Sequence, residues 1–298
     1  MELRHLRYFV MVAEELHFGR AAARLQMTQQ PLSQQIYQLE AELGVSLFHR
    51  TKRRIQLTDA GEVFLKEAHQ LLLQAEQSIE KARQAARGEV GRLSIGFSGF
   101  ATYSVLPKVL QTFRERFPQV ELNLEEMTTS VQIQALLNKQ IDLGLMIPPV
   151  KDKSLLIELL LQEPLVVVLP ETHLLAKESE LALSMLADEP FILVPRHLEP
   201  GYYDQCISLF QQAGFSPKVV QKASQKQTIL GLVSAGMGVS LAPASIGNIC
   251  RMGVVYTNLS TPTKVYLAAV WQQQETSSVL QTFLKVIREI VQPLSGDL

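Results

Sequence analysis

Between residues 59 and 87 the apolar side chains Leu65, Ala68, Leu72, Ala75, Ile79, Ala82 and Ala86 recur three and four positions apart, and no other feature restricts the fold as much. A seam with that period stays on one side of a helix, so the segment reads as one long connector helix. At about 1.5 Å per residue it runs about 43 Å, enough to set a head apart from a body. Its small residues permit close approach of the same helix from a second subunit, which is the expected use; a long surface helix lying on its own chain is the alternative. Gly88 to Gly91, with Glu89 and Val90 between, reads as a hinge. A chain of 298 residues with 47% apolar content has material for separate cores on both sides.

The head, residues 1–58, reads as all-α with a hairpin. Leu3, Leu6, Phe9, Val10 and Ala13 repeat at helical spacing, and Ala21-Ala22-Ala23 suits the tight crossing of a helix-turn-helix with Met27-Thr28 as the turn. In the next helix Leu32, Ile36, Leu39 and Leu43 form the inward stripe, which leaves Gln29, Gln30, Ser33, Gln34, Tyr37 and Gln38 outside. Thr28 is placed as the N-cap, Pro31 is tolerated in the first turn, and Gly44 suits a left-handed end. Gln can contact adenine bidentately and Ser reaches donors and acceptors, so the uncharged face suits base edges. Taken alone, a glutamine-lined helix is a solvated surface, and its neighbours argue otherwise.

Downstream, residues 47–58 place Arg50, Lys52, Arg53 and Arg54 between two short apolar stretches, the pattern of a basic wing that neutralises phosphates. A charge cluster by itself is a solvated loop. Residues 1–58 carry eight basic and five acidic side chains, a balance of +3, and the remainder carries −4, so a near-neutral whole hides a basic head and an acidic body.

Met1 to Val10, the Ala-Ala-Arg-Leu run ending at Leu25, Gln-Gln-Pro-Leu-Ser-Gln-Gln-Ile at 29–36, Leu-Glu-Ala-Glu-Leu-Gly at 39–44, Leu-Phe-His-Arg at 47–50 and Leu-Thr-Asp-Ala-Gly at 57–61 resemble, in order and spacing, the DNA-binding head of LysR-type transcriptional regulators. Pro107 to Pro118, Ile141 to Leu145 and Gly231 to Ser245 fit the same family's effector-binding portion, so the resemblance spans the chain. Gln30 stands where proline is common, and Phe18-Gly19 replaces a small polar pair; both bear on the operator sequence and neither on the fold. The DNA-binding residues expected on this basis are Thr28, Gln29, Gln30, Pro31, Ser33, Gln34, Gln38, Arg50, Arg53 and Arg54.

From Arg92 the pattern changes to alternating strands and helices. Strands are expected at 93–97, 120–125, 142–147, 165–169, 191–194, 218–223 and 239–242, which points to α/β lobes with parallel sheets. Residues 161–166 read as a crossing into a second lobe and 266–271 as the return. The expected division is a winged helix-turn-helix at 1–58, a linker at 59–87, a hinge at 88–91 and an effector domain at 92–298, with lobe I at 92–161 and 269–298 and lobe II at 162–268. The resemblance implies two periplasmic-binding-protein-like lobes around a small effector. Ligands of open α/β lobes lie beyond the carboxyl ends of strands, and the hydroxyls and helix amides after 97, 127 and 194 suit a carboxylate or other small anion. Similarity to the family's aromatic-catabolism branch marks Ser98, Gly99, Phe100, Thr102, Thr129, Ile147, Pro195, Tyr202 and Gln227 as pocket positions. Each alone also reads as a packing or capping residue, Thr128 and Ser130 more as caps, and Arg196 as an exposed loop arginine without a readable partner.

Catalysis is argued against. Gly96-Phe97-Ser98-Gly99 is half of a nucleophile elbow without a readable base, Gly236-Met237-Gly238 lacks the rest of a dinucleotide loop, and no Walker loop or zinc-ligand cluster is present. The six histidines are scattered singly, and Cys206 and Cys250 read as reduced, partly buried thiols. No secretory pattern opens the chain and no long uncharged apolar stretch exists, so a cytoplasmic protein without a membrane segment is expected. The expectation is a sequence-specific regulator of double-stranded operator DNA, needing no cofactor beyond a small-molecule co-inducer. It is dimeric through the linker and tetrameric through its bodies, bends DNA differently when a metabolite closes the cleft, and leaves room for contact with RNA polymerase. Activation is the first reading, constitutive repression the second, and a small-molecule-binding protein or enzyme with a helix-turn-helix appendage the third.

Overall fold

The computed structural model describes residues 1–50 and 55–291. The chain divides into two compact units, Met1–Gln84 and Ala85–Leu298. In the first, α1 (Leu3–Glu15), α2 (Phe18–Arg24) and α3 (Gln29–Leu43) precede a hairpin of β1 (Phe48–Arg50) and β2 (Ile55–Leu57), and α4 (Asp59–Ala86) follows. The helical spacing of Leu6, Phe9, Ala21, Ala22, Leu32, Ile36 and Leu39 is realised as one buried core. Phe9 anchors it between Phe48 and Phe64, with ring centroids 5.4 and 5.0 Å away. Gly44 ends α3 at φ +71°.

Two residues set the start of α4. Thr58 Oγ1 accepts from the Gly61 amide at 2.9 Å and donates to the Ser46 carbonyl at 2.8 Å. Gly61 passes so close to the preceding loop that a Cβ there would lie 2.1 Å from the Leu47 carbonyl oxygen. Along α4 the seam divides. Leu65, Ala68 and Leu72 pack on the head's own core, whereas Ile79, Ala82 and Ala86 are exposed. Three of the seven expected seam positions therefore serve their own chain, because the helix lies across the head for about its first four turns.

The second unit is built on a mixed sheet ordered β4-β3-β5-β12-β6-β11-β7, with β10 also on β6. Its elements are β3 (Gly91–Phe97), α5 (Gly99–Tyr103), α6 (Leu106–Arg116), β4 (Val120–Glu126), α7 (Thr129–Leu137), β5 (Leu143–Met146), β6 (Leu155–Pro170), β7 (Glu180–Leu181), β8 (Pro190–Leu193), α8 (Pro200–Gln212), β9 (Lys218–Lys222), α9 (Lys226–Ser234), β10 (Ser240–Pro243), β11 (Val254–Leu259), β12 (Lys264–Gln272) and α10 (Ser278–Ile290). Among the described residues the expectation of parallel sheets holds for β3 with β4 and β5, β7 with β11, and β8 with β9, with one further parallel bridge between Phe191 and Val239. The β5–β12, β12–β6, β6–β10 and β6–β11 pairs are antiparallel, and β6 and β12, which take part in all of them, each follow the preceding strand with no helix between.

The strand expected at 165–169 is the second half of the sixteen-residue β6. Leu155 to Pro164 pairs with β12, and Leu165 to Pro170 pairs with β10 or β11. Pro164, lacking an N–H, stands where the partners change, the place a strand tolerates it. Leu165 donates to Thr263 at 2.8 Å, so outgoing and returning chains are bonded side by side where they pass between lobes.

The residues expected to form a hinge are anchored. Gly88 takes φ +70°, and a Cβ on it would meet the Ser278 carbonyl at 2.3 Å; Thr282 Oγ1 donates to the neighbouring Arg87 carbonyl at 3.1 Å. Among the described residues, no helix is long and apolar enough to cross a membrane.

Candidate functional sites

α3 carries the first site. Leu32, Ile36 and Leu39 are fully buried, and the same periodicity leaves Thr28, Gln29, Gln30, Pro31, Gln34 and Gln38 exposed with Ser33 half-buried. Gln29, Gln30, Ser33, Gln34 and Tyr37 line one shallow concavity on the surface. Thr28 has the N-cap conformation, φ −85° and ψ 155°, yet its hydroxyl makes no cap bond, which corrects the expected cap. By the geometry of any α-helix the Gln29 and Gln30 amides lack intrahelical acceptors, so this end keeps hydrogen-bonding capacity for an outside group.

Glu40, on the same helix, accepts from the Leu47 and Phe48 amides at 2.7 and 3.1 Å and so fixes where the hairpin leaves α3. The hairpin is present, with Phe48 opposite Leu57 and Arg50 opposite Ile55. Lys52, Arg53 and Arg54 lie outside the described residues. Arg20 and Arg24 both pair with Glu15, at 3.0 and 2.8 Å, and hold its carboxyl below the usual range.

The second site is a cavity of about 90 Å³ between the lobes. Ser98, Gly99 and Phe100 at the end of β3, Ile147 after β5, and Met127 and Thr128 before α7 line one wall. Val194, Glu199, Tyr202 and Ser224 to Lys226 line the other, and Glu126 also reaches it. Of the expected pocket positions, Ser98, Gly99, Phe100, Ile147 and Tyr202 are brought together here.

Thr129 stands directly behind the wall. Its N–H donates to Glu199 Oε1 at 3.2 Å and its hydroxyl to Oε2, so one side chain joins the lobes. Thr102, Pro195 and Gln227 stand off the lining: Thr102 Oγ1 is buried elsewhere, the Pro195 carbonyl accepts from Leu198, and Gln227 is exposed on α9. Ser130 is no cap either, since its hydroxyl donates to the His197 carbonyl at 2.8 Å and its amide to that of Leu198 at 3.2 Å. The first amides of α7, expected to be free for a ligand, are thus already bonded across the cleft. Arg196 has a partner that sequence did not show: Asp204, one helical turn into α8, takes two guanidinium bonds at 2.6 and 2.8 Å.

Three charged residues of the cavity were not anticipated: Glu126, which is exposed, Glu199 and Lys226. Glu199 is buried, and that burial raises its carboxyl pKa against the opposing pull of Thr129 and Lys226. Lys226 opens α9, its ammonium 3.9 Å from the centroid of the Tyr202 ring, and burial lowers its pKa. The Tyr202 hydroxyl donates to the Leu241 carbonyl at 2.6 Å, which keeps the ring in place. A lysine at a helix start opposes the macrodipole, and that local misfit was the available sequence signal. Cys206 is fully buried beneath this group, its thiol pushed up to about 11, and Cys250 is exposed where a partly buried thiol was expected.

Residues 3–62 match the family described as bacterial regulatory helix-turn-helix protein, lysR family, and residues 86–292 match the LysR substrate binding domain. The HTH-type transcriptional regulator AlsR of Bacillus subtilis (strain 168) is 46% identical over 271 residues, covering 91% of this chain and 89% of its own. CatR of Pseudomonas putida is 41% identical over 259 residues, covering 87% and 88%. The crystal structure of CbnR superposes with TM-score 0.87 at 32% identity over 97% of this chain and all of its own. The structure of full-length CbnR complexed with target DNA gives 0.85 at 31% identity, covering 98% of this chain.

Proposed function

As the chain belongs to the LysR family, a DNA-binding transcriptional regulator with a small-effector domain and not an enzyme, we propose that α3 reads operator bases while the interlobe cavity holds a small carboxylate or other small anion. The observation that carries this reading is the division of α3 into a buried apolar stripe and an exposed row of uncharged amides and hydroxyls. Gln29, Gln30, Ser33, Gln34 and Gln38 face the bases, Thr28 and Pro31 position the helix start, and Arg50, Arg53 and Arg54 neutralise backbone phosphates. Ser98, Gly99, Phe100, Thr129, Ile147 and Tyr202 serve the effector, with Thr102, Pro195 and Gln227 acting from outside the lining. The head at 1–58, linker at 59–87, hinge at 88–91 and effector domain at 92–298, with lobes exchanging at 161/162 and 268/269, belong to the same reading.

The exposed second half of the seam pairs with a second copy, so the regulator is a dimer through α4 and a tetramer through its effector domains. Two reading helices then meet a two-fold symmetric, interrupted operator. A metabolite that binds one lobe arrangement more tightly than the other shifts the assembly and the bend of its DNA, with activation as the outcome and RNA polymerase as the contact; without that difference in affinity nothing is switched. The expected location is the cytoplasm. The test is binding of the full chain to its own promoter, by footprinting and fluorescence anisotropy, with and without effector. Protection of one asymmetric stretch that is indifferent to mutation of α3 refutes the reading.

A further inference from the structure

The cavity contains three buried polar atoms that the chain itself leaves unsatisfied. Ser98 Oγ, Thr128 Oγ1 and Lys226 Nζ all face it and have no hydrogen-bond partner among the described residues. Glu199 lines the same cavity and its charge acts on Lys226, yet no hydrogen bond joins the two, its carboxyl oxygens being turned to Thr129. Tyr202 offers Lys226 only a ring face, since its hydroxyl is directed to the Leu241 carbonyl. Burying an ammonium without an acceptor is costly, and buried polar atoms of native proteins find partners.

All three atoms can donate, and two of them stand on the lobe opposite to Lys226. What they lack in common is an acceptor with at least two oxygens and a negative charge. Size narrows the class further. An apolar cavity of about 150 Å³ takes one benzene ring, and this one measures about 90 Å³. A short aliphatic carboxylate fits in this arrangement of the lobes, whereas a ring carboxylate needs them to part further.

Resting on the proposed effector function, we infer that Lys226 is the counter-charge of the effector site and that the ligand is a short-chain monocarboxylate bridging Lys226 to the Ser98 and Thr128 hydroxyls. Ligand entry satisfies all three donors at once and bonds one lobe to the other, which is how occupancy favours the closed arrangement. Glu126, exposed, and Glu199, in the cavity wall, are the carboxyls near the ligand, and they make a second negative charge on it unfavourable.

The test is a thermal-shift and calorimetric series on the full chain with acetate, propionate, succinate, benzoate and propionamide. Saturable stabilisation by acetate or propionate is expected, with none from benzoate, succinate or propionamide. Lys226→Met weakens the Kd for the binding acid about 10- to 100-fold, the loss of a charge-assisted bond, each shift being measured against the same variant without ligand. Ser98→Val weakens it too. Carboxylate binding that survives Lys226→Met but is lost in Ser98→Val overturns the inference and leaves the cleft reading standing. Binding indifferent to both substitutions places the ligand elsewhere and overturns both. Stabilisation by benzoate or propionamide alone, or by none of the five, refutes the short-carboxylate assignment.

Discussion

Gly61→Ala is the most direct probe of how the head is assembled. In an unconstrained helix this exchange stabilises by up to about 1 kcal/mol. Here the added methyl would lie 2.1 Å from the Leu47 carbonyl oxygen and 2.9 Å from Leu57 Cδ2, where ordinary contact begins at 3.4 Å. Relief requires the first turn of α4 and the Ser46-Leu47 segment to separate by more than an ångström. That movement stretches two bonds, from the Thr58 amide to the Leu47 carbonyl at 3.0 Å and from the Thr58 hydroxyl to the Ser46 carbonyl at 2.8 Å. Overpacking costs about 1–3 kcal/mol and each of the two lost bonds about 0.5–1.5 kcal/mol, so with the propensity gain subtracted the net destabilisation is about 1–5 kcal/mol. Trp271, the sole tryptophan, lies in the second unit, so its fluorescence follows that unit while far-ultraviolet circular dichroism follows both. Urea titration should shift the head's transition to lower denaturant and leave the fluorescence transition in place. Gly231→Ala, in a helix where the nearest foreign atom is 3.8 Å away, is the internal control and should stabilise the second unit. A head transition that is unmoved, or raised as in the control, refutes the close approach.

Gln29→Ala or Ser33→Ala should weaken operator binding by about 1–3 kcal/mol while nonspecific binding changes little, as read by anisotropy with specific and scrambled duplexes; equal loss on both removes the base-reading role. Replacing Arg53 or Arg54 by Ala should weaken binding to every sequence and reduce the salt slope by about one unit for each phosphate no longer neutralised, and an unchanged slope counts against the wing. Thr129→Val strips Glu199 of its hydroxyl donor and leaves only the backbone amide of residue 129 to bond it across the cleft. Transcription from the target promoter should lose its response to effector while operator affinity in gel shift is retained, and a normal response would move the switch elsewhere.

The two faces of α3 were legible because their information is local: four apolar positions of one stripe specify which residues face out, and the core simply accepted them. The cap at Thr28 was not, since residue type alone cannot tell a hydroxyl that turns inward to the helix from one that stays outside. The linker seam was visible as a period, but the period does not say which helix or core it meets, and Leu65, Ala68 and Leu72 met the head. Ser98, Phe100 and Tyr202 could be placed from strand ends and family pattern. Glu199 and Lys226 could not, because their proximity depends on α8 and α9 folding against separate strands. The sheet directions were misjudged where β6 and β12 return without a helix, a long-range choice that local alternation does not encode.

The two chains that pass between the lobes do so as neighbours, bonded to each other at Leu165 and Thr263 and paired from Pro164 to Lys264 onward. A joint made of one ribbon bends readily about an axis across its width and resists both sliding and separation of the halves. On the proposed function, effector occupancy in such a body is converted into a change of angle with almost no change of length. A subunit assembly that registers angles transmits the signal, and one that registers spacing would be blind to it.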